Sequence, residues 1–226
     1  LNNNGVYIYS NDKTGSITNS TNINSTGTDG SNYGIYSSGQ ADNSGNIDFS
    51  NGVGNLGMYM VNGGTGRNSG TITVGASDVS NELFSVGMAA GYIGDKTTAR
   101  TTGTIENSGT INVNGEYSIG MYGTEAGTKV YNGTAPGSSA TINLGASNTT
   151  GMYLDNGAYG YNYGTIKSTG TGLSKVVGIV VKNGSTIENH GKIEITAEDG
   201  VGILSKGNAA GANPGIIKNY GTFNIN

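Results

Sequence analysis

A single short pattern written eight times limits what this chain can become more than any other property it has. In its fullest form, the nine-residue phrase I-x-N-x-G-x-I-x-V, it reads IENSGTINV at 105–113. Degraded copies stand at 17–25, 41–49, 66–74, 136–144, 160–168, 187–195 and 217–225. Between them recurs a second phrase, a glycine followed by an apolar residue and often by tyrosine. It occurs at 4–8, 33–37, 56–60, 86–90, 119–123, 150–154, 177–181 and 201–205, as in IGMYG and TGMYL. The two phrases alternate throughout, in cycles of roughly 28 residues.

Both phrases place apolar residues at every second position, the period of a strand, and each cycle holds about three short strands separated by turns. Strands this short cannot bury a face alone. Stacked one cycle on another at about 4.8 Å, each pairs with its copies above and below. The prediction is all-β: a right-handed, single-stranded parallel β-helix of about eight rungs, roughly 40 Å long, forming one segment over 1–226. Two columns should line its interior. One is Val6, Ile35, Met58, Met88, Met121, Met152, Ile179 and Ile203; the other is Ile23, Ile47, Ile72, Ile111, Ile142, Ile166, Ile193 and Phe223. Burying each such side chain contributes roughly 1.5–3 kcal/mol, which only the stacked array can supply.

An asparagine column runs through the nine-residue phrase as Asn19, Asn43, Asn68, Asn107, Asn162, Asn189 and Asn219, interrupted at Ser138. Its expected role is an amide ladder at a bend between two sheets, with a glycine following where a side chain would crowd. The position two after the glycine of the second phrase gives Tyr7, Tyr36, Tyr59, Ala89, Tyr122, Tyr153, Val180 and Leu204. Period two turns this column outward, as a cross-rung aromatic packing row or as a platform for a ligand. Three connectors are long: 91–104, 124–135 and 206–216. The first two should protrude side by side and display Tyr92, Lys96, Arg100, Glu125, Lys129 and Tyr131, which with Tyr36, Tyr59, Tyr122 and Tyr153 make the candidate ligand-binding set.

Composition excludes several classes of function. A net charge of −4 offers no basic surface for nucleic acid, and the absence of cysteine removes disulfides and thiolate metal sites. No cofactor or metal is expected. There is no run of about 18 apolar residues and no charged-then-apolar leader. Catalytic constellations are equally hard to find. The single histidine, His190, falls at a turn beside the asparagine column and reads as solvated. Aligned with Glu106 and Glu188 are Thr18, Asp42, Arg67, Gly137, Tyr161 and Lys218, which form no acid–base set. NGGTGRNSG at 62–70 is a poor match to a calcium-binding nonapeptide, with Arg67 one place before the required Asp.

The motifs GTITV at 70–74, ENSGTINV at 106–113, IGMY at 119–122, TGMY at 150–153 and NYGTI at 162–166 resemble the passenger regions of large autotransporter adhesins, especially of the fusobacterial type. The resemblance covers essentially the full length. It implies a cell-surface passenger exported by type V secretion and anchored in the outer membrane by a C-terminal barrel beyond this sequence. It further implies attachment to a host-cell or bacterial receptor, either glycan or protein, by a monomeric stalk, a role in virulence and no enzymatic activity. The chain reads as a segment of a longer array. Two other readings stay open: a polysaccharide-processing or phage tailspike-like β-helix, and a structural spacer without a ligand site.

Overall fold

The computed structural model describes residues 5–25, 27–28, 30–91, 101–207 and 213–226. Among these residues twenty-four strands form three parallel sheets of eight. Each turn of the coil gives one strand to each sheet, as Ile119–Thr124, Lys129–Asn132 and Thr141–Leu144 do for the first, second and third sheets. Every strand hydrogen-bonds to its equivalent one turn away, so the architecture is a β-solenoid of about eight turns, as the periodicity requires. Among the described residues helix is confined to one 3₁₀ turn, Val79–Asn81, where the Asp78 carboxylate accepts the Ser80 and Asn81 N–H groups.

The interior follows the two expected columns with one correction. Met58, Met88, Met121 and Met152 lie directly over one another in the first sheet, and Ile72, Ile111, Ile142 and Ile166 in the third; all are fully buried. In the first turn, however, Ile8 and not Val6 pairs with Ile35. That shift of two residues puts Tyr7 at the glycine position of its phrase. Its ring lies 5.6 Å from Phe49 and its hydroxyl donates to the Asn24 carbonyl, so it is no member of the tyrosine row. Tyr9 takes that place beside Tyr36.

Across the interior, small residues face large ones. A Cβ on Gly66 would meet Met60 Cγ at 2.8 Å, and one on Gly160 would meet Leu154 Cδ1 at 2.5 Å. On the fifth turn, directly below Gly160, the sizes exchange, with Gly123 in the first sheet against Val130 in the second. Interior volume is therefore held nearly constant by substitutions that compensate across the coil.

The asparagine ladder exists and is longer than the sequence phrase indicates. Each Nδ2 donates to the Oδ1 of the next turn, from Asn19 through Asn43, Asn68, Asn107, Asn132, Asn162, Asn189 and Asn219, at 2.7–3.0 Å. Asn132, not Ser138, occupies the fifth turn. Residues 133–139 form an insertion between Asn132 and the third-sheet strand, which displaces the true ladder residue from the repeat phrase.

Connector 124–135 is accordingly not one long loop. Glu125–Thr128 is a tight turn, closed by the Thr128 N–H on the Glu125 carbonyl at 3.0 Å, and Lys129–Asn132 is a second-sheet strand. For connector 91–104, residues 92–100 lie outside the described residues, and for 206–216, residues 208–212 do. The bounding strands begin at Thr104 and Ile216.

Candidate functional site: an aromatic and ionic face

The candidate residues separate onto two faces. Tyr36, Tyr59, Tyr122 and Tyr153 share one column of the first sheet, with Ala89 between the second and third. They point away from the coil interior, as period two demands, yet they are packed among themselves and their neighbours. Tyr36 and Tyr59 meet edge to face at 5.1 Å, and Tyr122 and Tyr153 lie 5.7 Å apart. Tyr59 is only 6% exposed within a second apolar cluster that contains Leu56, Val61, Val86 and Ala89, against which Tyr33, Tyr36, Ile119 and Tyr122 pack. Packing thus accounts for Tyr59, which is buried, while Tyr36, Tyr122 and Tyr153 are packed on one another or on that cluster and remain partly exposed.

The ionisation of that column has a measurable consequence. Burial pushes the Tyr122 phenol up to about 12, and burial also raises Tyr33, Tyr36 and Tyr153. A folded-state value above the unfolded one, near 10, means that this contribution is complete below about pH 10 and is lost as pH rises towards 12. Alkaline titration should therefore show a late-ionising tyrosine fraction. The Tyr122 group should ionise late, together with unfolding and a loss of roughly 2–3 kcal/mol. Tyr122→Phe should abolish most of that late loss.

Lys129 and Tyr131 stand on the second sheet, and Glu125 in the turn preceding it is half-buried, with its Oε1 3.5 Å from Asn156 Nδ2. Tyr92, Lys96 and Arg100 lie outside the described residues. Tyr131 pairs in register with Glu106 below and Tyr161 above, and the Tyr131 and Tyr161 rings are parallel to within 3° at 4.9 Å. Tyr161 in turn lies parallel to Tyr163 at 6.1 Å and beside Tyr159 at 5.1 Å. At the corner, His190 is stacked between Tyr163 at 4.9 Å and Tyr220 at 4.8 Å, so it is a member of an aromatic pile and not a lone solvated turn residue.

Ion pairs flank these rings along the same face. Below them, Arg67 spans two turns, 3.5 Å from Asp42 and 3.0 Å from Glu106. Above them, Glu188 accepts from Lys218 Nζ at 3.0 Å and from the Tyr159 hydroxyl at 2.8 Å, with His190 Nε2 at 3.5 Å. The hydrogen bonds from Lys218 and Tyr159 hold the Glu188 carboxyl below its usual range, and the Glu188 contact raises Lys218. The column that looked unrelated in sequence is thus two charge networks with two tyrosines between them. Substituting Tyr131 for the misaligned Gly137 completes it. A signal was present in the sequence: Y-G-Y-N-Y at 159–163 presents a tyrosine at every second position.

Among the described residues no group of three or more His, Asp or Glu side chains could hold a metal ion. Likewise no helix among them is long and apolar enough to cross a membrane. A recess lined by Gly172, Leu173, Thr196, Ala197, Glu198 and Asn226 lies on another corner and carries a single ionisable side chain, Glu198.

Three parallel sheets wound around an apolar interior, with an amide ladder at one corner, define a β-helical domain. Residues 49–165 match the model of the family described as the BigA third pectate lyase-like domain, and the chain belongs to that family. This is an adhesin-like assignment that fits a β-helical passenger region. No curated protein and no solved structure gives a match.

Proposed function

We propose that the chain is part of a cell-surface adhesin: a rigid β-helical passenger that attaches to another cell through the aromatic and ionic face of its second sheet. The observation that carries this reading is the Tyr131–Tyr161 pair, half-exposed between two ion-pair networks on an otherwise repetitive scaffold. A solenoid holds such a face rigid without help from loops, because each turn is fixed by the turns on either side. The family match agrees with an adhesin-like passenger, and secretion through an outer-membrane barrel belongs to the same proposal. Tyr131→Ser/Tyr161→Ser should reduce attachment of cells displaying the domain by roughly tenfold. The lost cross-strand pair should cost under about 1 kcal/mol of stability. Unchanged attachment by this variant would show that the second-sheet face is not the contact surface.

A second reading is favoured by Tyr159, Glu188, His190 and Lys218 lying together on the exterior of a pectate lyase-like coil. Proton abstraction from a polyuronate needs a base that is free of its proton near neutral pH. Lys218, with its proton held more tightly by Glu188, is poorly suited to that task. Incubation with polygalacturonate, followed by absorbance of the unsaturated product, tests the reading directly. Sustained product formation would make the domain a lyase.

A further inference from the structure

The adhesin reading leaves the ligand open, and the chemistry of the second-sheet face narrows it. We infer that this face binds a neutral glycan, recognised by tyrosine hydroxyls and ring edges and not by ring faces or by charge. The inference rests on the proposal that the second sheet is the contact face.

Charge is the first argument. The outward positions of the second sheet carry three carboxylates, Asp42, Glu106 and Glu188, and three cations, Arg67, Lys129 and Lys218, which cancel. Arg67 and Lys218 are already held by carboxylates at 3.0 Å, so a uronate or sialate would have to displace an existing partner from either of them, and only the exposed Lys129 offers an anion a cation outside these pairs. A neutral chain displaces nothing.

Ring geometry is the second. Parallel rings at 4.9 Å direct their faces at each other, so Tyr131 and Tyr161 direct edges and hydroxyls outward. Sugars that stack on open aromatic faces are poorly served, whereas a chain offering hydroxyls along its length meets donors and acceptors spaced by the strand separation.

Apolar content is the third. From Ser16 to Thr186 no aliphatic side chain occupies an outward position of the second-sheet strands; Ile216 is the first. Tyrosine and arginine also anchor protein partners, so it is the lack of any aliphatic centre around them, and not the rings themselves, that favours a glycan here.

The test uses the purified chain with chitohexaose and cellohexaose as neutral probes, polygalacturonate as the anionic one, and calorimetry as the readout. A neutral probe should bind, with its Kd changing less than about twofold between roughly 0.05 and 0.5 M salt. Tyr131→Phe/Tyr161→Phe keeps the ring stack and should melt like the parent while weakening binding by roughly tenfold, because only the hydroxyls are gone. Parent-like binding by the Phe variant would overturn recognition by hydroxyls. Polygalacturonate binding that weakens steeply with salt would overturn neutrality. Should neither neutral probe bind while displayed cells still attach through Tyr131 and Tyr161, the ligand is a protein, and the glycan inference fails while the adhesin reading stands.

Discussion

Asn132→Ala is expected to destabilise the chain by roughly 2–4 kcal/mol, one orphaned acceptor and one lost hydrogen bond, whereas Ser138→Ala should cost under about 1 kcal/mol. Asn132 receives the Asn107 amide at 3.0 Å and donates to Asn162 at 2.8 Å, all three being fully buried. Alanine would leave Asn162 Oδ1 without a partner and strip Asn107 Nδ2 of its shortest acceptor, leaving it the Gly109 and Thr141 carbonyls at 3.3 and 3.5 Å, and none of these groups is open to solvent. An orphaned group of this kind costs about 1–3 kcal/mol, more than the net worth of the bond it made. Ser138 Oγ only accepts the Ala140 N–H at 3.2 Å, in a partly exposed insertion. Denaturant midpoints of the two variants measure the difference. Equal midpoints would mean that the amide ladder does not pass through the fifth turn as a continuous chain.

Gly109→Ala should cost about 3 kcal/mol, the upper end of what overpacking a dense interior costs. A Cβ at this position would stand 2.1 Å from the Gly70 carbonyl oxygen and 2.7 Å from the Ser69 carbonyl carbon, both backbone atoms of the preceding turn. A flexible side chain could move aside; a backbone in two ladders cannot, so the turns themselves must separate. Because the Asn68 and Asn107 amides are coupled across the same gap at 2.9 Å, the strain and the ladder are one structure. Combining Gly109→Ala with Asn107→Ala should therefore cost less than the two variants taken separately. Strict additivity in thermal and denaturant unfolding would show that the glycine and the ladder act independently.

The architecture was legible because a solenoid repeats its physics as well as its words. Apolar alternation, the Met and Ile columns and the recurring Asn and Gly each reappear one cycle later, and the only arrangement that satisfies all of them is the stacked one found. The errors arose where the spacing between words changes. The 133–139 insertion shifted Asn132 and Tyr131 out of the aligned phrase, and a two-residue slip in the first strand exchanged Tyr7 with Tyr9. Sequence periodicity assigns a face to each residue, but it cannot tell an inserted residue from a ladder residue of similar polarity.

The candidate site was less legible than the fold, for a related reason. The first-sheet tyrosines advertise themselves through a tight motif, yet the motif does not reveal that Tyr59 is buried with Leu56 and Val86 while Tyr36 and Tyr122 only pack against that cluster. Tyr131, Tyr159, Tyr161, Tyr163, His190 and Tyr220 come from four turns, and their stacking depends on which residue of one turn lies over which of the next. Arg67 with Glu106, and Glu188 with Lys218, likewise became partners only through register.

By itself the sequence determined the period, the strand content, the composition of the interior and the absence of net basic charge, since each is a property of residues along the chain. The tertiary structure alone decided which turn-to-turn neighbours coincide. Side chains interact through space at about 5 Å, so a displacement of one or two residues exchanges every cross-turn partner while leaving the pattern along the chain unchanged.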